Sequence, residues 1–192
     1  TARHVIRNSA ENFAEVSLEL GGKSPFIVFD DADIESAVNG SIAGIFGASG
    51  QSCVAGSRLY LHESIADEFL NKMLNLASKI KLGDPLQEET QMGPLATLGQ
   101  MNLIENEISN AKAQGAKILH GGKRPSNANG GWFYEPTIVD CHDQKLKIVD
   151  TELFGPVLSV IRFKSEEEVI KLANDTKYGL AAGVFTKNGA RS

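Results

Sequence analysis

Apolar positions along the chain keep two rhythms, and the rhythms alternate. Ile34, Ala37, Val38, Ile42 and Ile45 recur every three or four residues, as do Ile65, Phe69, Met73, Ala77 and Ile80, and again Met101, Ile104, Ile108 and Ala111. Each set places a stripe on one face of a helix. Between them lie short apolar runs at residues 25–29, 58–61, 116–119, 157–163 and 179–185. Their length suits strands, and the near-continuous runs suit strands buried on both faces. Residues 132–139 read as extended. Residues 14–20 alternate apolar and polar, which predicts a further strand broken by Gly21-Gly22. Residues 2–10 read as the end of a helix with Val5 and Ile6 as its apolar side.

Boundary signals agree with this reading. Asp33 stands where an N-cap belongs, Ser64 precedes the second stripe, and Ser165 followed by Glu168 forms a capping-box pattern. Gly115 suits the position just past a helix C-terminus. Residues 83–96, rich in Gly, Pro and Asp, and the polar stretch 121–131 read as loops. Strands alternating with helices of ten or more residues predict a three-layer α/β/α fold around a largely parallel sheet. Ligands of such sheets commonly sit beyond the carboxyl ends of strands. The loop around Cys53 and the break after Glu19 are therefore candidates for those positions.

Composition narrows the functional classes. A formal charge of −5 over 192 residues, with no cluster of Lys and Arg interleaved with aromatics, argues against nucleic acid as a partner. No apolar run approaches the ~20 residues that span a bilayer. Two cysteines fit a reducing compartment better than a disulfide framework. His4, His62, His120 and His142 are scattered and no metal-ligand spacing occurs, so no metal is expected. The first residues are Thr1-Ala2-Arg3 and the last stretch resembles a helix opening, which suggests a segment of a longer chain.

Three residues could carry chemistry. Cys53 lies in Gly50-Gln51-Ser52-Cys53-Val54-Ala55-Gly56, where small neighbours allow tight bends and close approach to the sulfur. An ionised thiol there could attack a carbonyl carbon, with loop N–H groups near the developing oxyanion. A buried structural thiol is the alternative. Glu19 leaves a strand beside two glycines. Partial desolvation would raise its pKa toward that of a general base, whereas an exposed acid paired with Lys23 would be inert. Glu152 stands in Glu152-Leu153-Phe154-Gly155-Pro156, an acid and an aromatic before the strongest strand, suited to holding a polar ring system or simply to a charged turn. The spacing of Gly44, Gly47 and Gly50 matches neither a dinucleotide fingerprint nor a phosphate loop. Cys141 and His142 are adjacent on an extended segment and point apart.

Taken together, these stretches resemble the NAD(P)-dependent aldehyde dehydrogenases. Residues 18–25 (Leu-Glu-Leu-Gly-Gly-Lys-Ser-Pro) are similar to that family's glutamate signature, residues 46–58 to its cysteine signature, and residues 152–156 to its cofactor-contacting motif. Gly93-Pro94-Leu95 and residues 178–182 also match, and the similarity covers the whole chain.

The resemblance implies roles. Cys53 would form the thiohemiacetal and then the thioester, and Glu19 would activate the water that hydrolyses it. Leu20 would approach the nicotinamide through its backbone. Glu152 would bind the nicotinamide ribose, with Phe154 packing near the ring. The cofactor would be NAD or NADP, held largely by residues outside these 192. Residues 1–22 would be the tail of the dinucleotide-binding domain and residues 23–192 an incomplete catalytic domain, without useful activity alone. The partner would be a small aldehyde, the assembly a homo-oligomer and the compartment the cytoplasm. The competing readings are a coenzyme-A-acylating relative, which Glu19 opposes, an inactive structural descendant, and a cofactor-independent thiol esterase.

Overall fold

The computed structural model describes residues 1–126 and 130–191; positions 127–129 of the loop expected at 121–131 lie outside the described residues. The chain forms helix α1 (Ala2–Ala10), strand β1 (Pro25–Val28), α2 (Ile34–Phe46), β2 (Arg58–His62), α3 (Ala66–Ala77), α4 (Leu98–Ala113), β3 (Lys117–His120), β4 (Thr137–Asp140), α5 (Lys147–Asp150), β5 (Val157–Phe163), α6 (Glu166–Asn174) and β6 (Gly183–Phe185). The strands make one sheet in the order β3-β4-β5-β2-β1-β6. Every pairing is parallel except that of the edge strand β3 with β4.

The strands alternate side chains between two cores. Leu59 and Leu61 of β2 and Leu158 and Val160 of β5 face α2 and α3, meeting Val38, Ile45, Phe69 and Met73. Tyr60, Val157, Ile161 and Phe163 face the other way, toward Met101, Ile104 and Ile108 of α4, Ile148 and Val149 of α5 and Val169 of α6. The architecture is the expected three-layer α/β/α fold. The stripes of the three long helices mark their buried faces. Asp33 accepts the Ser36 N–H at 2.8 Å, Thr97 that of Gln100 at 3.1 Å and Ser165 that of Glu168 at 3.2 Å, as their N-cap positions require.

Several local expectations are corrected. Residues 14–20 form no strand; they are exposed throughout, because no neighbouring strand offers them a ladder. Ser64 does not cap α3. Its hydroxyl instead meets His62 Nδ1 at 2.8 Å, and Ile65 holds the N-cap position. The stripe that seems to continue to Ile80 leaves the helix at Ala77. The four-residue α5 is too short to announce itself by periodicity.

Candidate active site

All five residues singled out above line one cleft. Glu19, Leu20, Gly21, Cys53, Glu152 and Phe154 surround an open space of about 370 Å³. Its place in the sheet differs from expectation. Cys53 leads into β2, Glu152 into β5 and Gly22 into β1, and these three strands run parallel. The cleft therefore lies at the amino edge of the sheet, not beyond its carboxyl ends.

The cysteine loop is set by backbone geometry. Helix α2 stops at Phe46, and Ala48, Ser49 and Gly50 then take φ of 49°, 57° and 71° in succession. Three left-handed residues reverse the chain tightly, at a cost that outside contacts must offset. Ser49 Oγ donates to the Gly93 carbonyl at 2.8 Å, and the Ala96 N–H donates to Gln51 Oε1 at 2.8 Å. The Gly93-Pro94-Leu95 stretch thus buttresses the turn before the thiol. At Gly50 a Cβ would lie 2.1 Å from the Gly155 carbonyl oxygen, so this loop packs directly on the loop that carries Glu152. Within the loop the Gln51, Ala55 and Gly56 amides donate to Ala48, Ser52 and Gly44 carbonyls; that of Cys53 has no intramolecular acceptor among the described residues. A free N–H beside an accessible thiol suits an oxyanion.

The other wall is a clamp. Gly22 N–H donates to Glu152 Oε1 at 3.0 Å. A Cβ at Gly22 would fall 2.4 Å from the Cys53 carbonyl oxygen, so the backbone passes where no side chain fits. This close approach ties the three signature stretches together. Phe154 holds φ 49° and leaves its ring 40% exposed on the cleft. Gln100 steadies the same loop, its side-chain amide donating to the Leu153 carbonyl.

Glu19 is exposed rather than desolvated, because the stretch that carries it lies off the body of the fold. Lys23 is not its partner; Lys23 is 2% exposed. Cys53 is half-buried and free, whereas Cys141 is buried and its thiol is pushed up to about 12 by burial. Cys141 is thus chemically quiet, and the exposed His142 does not form a dyad with it. The histidines serve locally: His62 meets Ser64 and the Lys164 carbonyl, and His120 the Pro136 carbonyl. No group of metal-ligating side chains occurs among the described residues. Sequence reasoning missed Lys23, Arg58, Gln51 and Gln100. Lys23, Arg58 and Gln51 lie within the signature stretches, but nothing local marked their buried or buttressing roles; Gln100 lies outside them.

The cleft can hold the nicotinamide end of a dinucleotide. A carboxylate fixed by a backbone amide, a partly exposed Phe154 and an exposed Leu20 suit a ribose and a flat heteroaromatic ring. Fold and cleft define an α/β domain that presents one accessible thiol at the amino edge of its sheet. The chain belongs to the aldehyde dehydrogenase family, whose sequence model matches residues 1–192. It is 54% identical over its whole length to the (Z)-2-((N-methylformamido)methylene)-5-hydroxybutyrolactone dehydrogenase of Acinetobacter baylyi and 45% identical to the betaine aldehyde dehydrogenase of Brucella anthropi. Among solved structures, an NAD+ complex of the aldehyde dehydrogenase from Bacillus cereus superposes with a TM-score of 0.92 at 42% identity over 98% of this chain. The chain spans 39% and 40% of those two relatives and 38% of that structure.

Proposed function

We propose that the protein oxidises an aldehyde to a carboxylic acid with NAD or NADP, and that Cys53 is the nucleophile. The convergence of Cys53, Glu19 and Glu152 on one cleft carries the reading. The Cys53 thiolate attacks the aldehyde carbon, and the loop amide at Cys53 faces the oxygen that gains charge. A nicotinamide held in this cleft would supply the two-electron acceptor for oxidation of the Cys53-bound aldehyde. Glu152 and the backbone at Leu20 would hold its ribose and ring, with Phe154 packing near the ring. Glu19 then takes a proton from the water whose oxygen attacks the thioester, and Cys53 leaves as thiolate. A water-activating carboxylate at the cleft favours hydrolysis over acyl transfer to coenzyme A.

Residues 1–22 act as the tail of a dinucleotide-binding domain and residues 23–192 as catalytic domain. Support comes from α1, which buries no residue, and from the exposed stretch that follows. The reading extends to a homo-oligomeric assembly and a cytoplasmic setting, the latter supported by two free thiols. Among the described residues no helix is long and apolar enough to cross a membrane. Ser52 and Val54 beside the nucleophile carry no charge, which suits an uncharged reacting end.

Glu19→Gln tests the division of labour in the full-length protein. The first turnover of NADH should form at close to the normal rate, while steady-state turnover falls roughly 10²- to 10⁴-fold because the thioester persists. Stopped-flow absorbance separates the two phases. An unchanged steady-state rate would remove Glu19 from its role.

A further inference from the structure

Lys23 is the least explained charge in the molecule. It follows the glycine that clamps Glu152, it is 2% exposed, and its Nζ is shielded from solvent with no hydrogen-bond partner among the described residues. Its backbone is held firmly. The Lys23 carbonyl accepts Arg58 Nε at 2.7 Å, and the rest of that buried guanidinium donates to Tyr60 Oη and the Ala173 carbonyl, both at 2.9 Å. Arg58 thus fixes a second cation beside Lys23 while its own donors are engaged. Burial first, and Arg58 second, lower Lys23 to about 8. Three other groups act in the opposite direction: Cys141 just past β4, Glu152, and Asp150 at the end of α5. An unpaired buried ammonium is a net cost to folding, so a lysine here calls for a reason other than stability.

The geometry supplies one. Lys23, Gly22, Ser52, Ser57 and Glu152 line a single void of about 10 Å³, room for about one water. Lys23 and Glu152 thus share one small void beside the Gly22–Glu152 clamp. We propose that Lys23 is a positioning residue whose buried charge holds the Glu152 carboxylate against the Gly22 amide, so that cofactor affinity depends on the protonation of Lys23. The inference rests on the reading of Glu152 as the ribose-binding group.

The test uses NADH binding to the full-length protein, followed by nicotinamide fluorescence between pH 6.5 and 9.5. Affinity should be highest below pH 8 and fall several-fold as Lys23 loses its proton. Lys23→Met keeps the length of the side chain and removes the charge. It should bind NADH roughly tenfold more weakly, with no pH step. Lys23→Arg should bind well and also lose the step. Thermal unfolding adds a readout that a merely structural role would not move in this direction. The folded-state pKa lies below the free-lysine value, so the cost of the buried charge is fully present below pH 8 and relieved as pH rises toward 10.5. Lys23→Met should therefore be more heat-stable than wild type at pH 7, with the gap closing at high pH. A flat wild-type profile, a step that survives in Lys23→Arg, or wild-type affinity in Lys23→Met overturns the inference alone. Absence of NADH binding by the wild-type protein overturns the dehydrogenase reading and this inference with it.

Discussion

Cys53→Ser in the full-length protein should lower the rate of aldehyde oxidation by roughly 10⁴-fold or more, the order expected when the proposed nucleophile is removed from a catalytic group that acts as a unit. NADH affinity and melting temperature should stay within the error of the wild type. The reason is geometric. The Cys53 side chain is half-buried at the cleft wall, and the fold's tight contact is with its backbone, through the Gly22 approach to its carbonyl. Exchanging sulfur for oxygen therefore costs little in packing, while a serine hydroxyl is a poor nucleophile without an adjacent base. Steady-state kinetics beside a thermal melt check the prediction. A Cys53→Ser enzyme that keeps a tenth of normal activity would mean the chemistry runs elsewhere. Cys141 is no substitute, since its thiol is buried and pushed up to about 12.

Gly50→Ala should be severely damaging although it touches no reacting atom. The new Cβ would stand 2.1 Å from the Gly155 carbonyl oxygen, at a residue held at φ +71°. Both partners are backbone, so no side chain can swing away. The clash and the left-handed strain together should cost about 3–4 kcal/mol. That loss should appear as a melting temperature several degrees below the wild type. The loops that carry Cys53 and Glu152 would also part, and a displacement near 1 Å between reacting groups costs roughly 10²-fold in rate. Differential scanning calorimetry and kcat give the two numbers. A variant with normal stability would show that the two loops are not packed as described.

The contrast between these variants reflects how much of the molecule was legible beforehand. The sheet and its helices were readable because their signals are local: buried runs at residues 25–29 and 157–163, stripes at helical spacing, and caps at Asp33 and Ser165. The stretch 14–20 has a strand's rhythm, yet a strand exists only through a partner, and none pairs with it here. The position of the site was in the sequence in a form the general rule obscured. Cys53 lies between a helix and a strand, and every helix-to-strand connection into a parallel sheet falls at its amino edge. The three signature stretches announced Cys53, Glu19 and Glu152 by residue type. Their joining through the backbone of Gly22 depends on contacts across 130 residues of sequence. Lys23 was invisible for the opposite reason: one lysine after two glycines reads as solvated, and only the register that sets Pro25 beside Arg58 shows that it is buried.

In the proposed mechanism Cys53 carries the substrate as a thioester. The most direct measurement is peptide mass spectrometry of the full-length protein, quenched in acid within one turnover after mixing with NAD+ and an aliphatic aldehyde. The acyl mass should appear on the peptide that contains Cys53, not on the peptide that contains Cys141, and the adduct should accumulate in Glu19→Gln. NADH formation with no acyl group on Cys53 at any time point, in either protein, would contradict it.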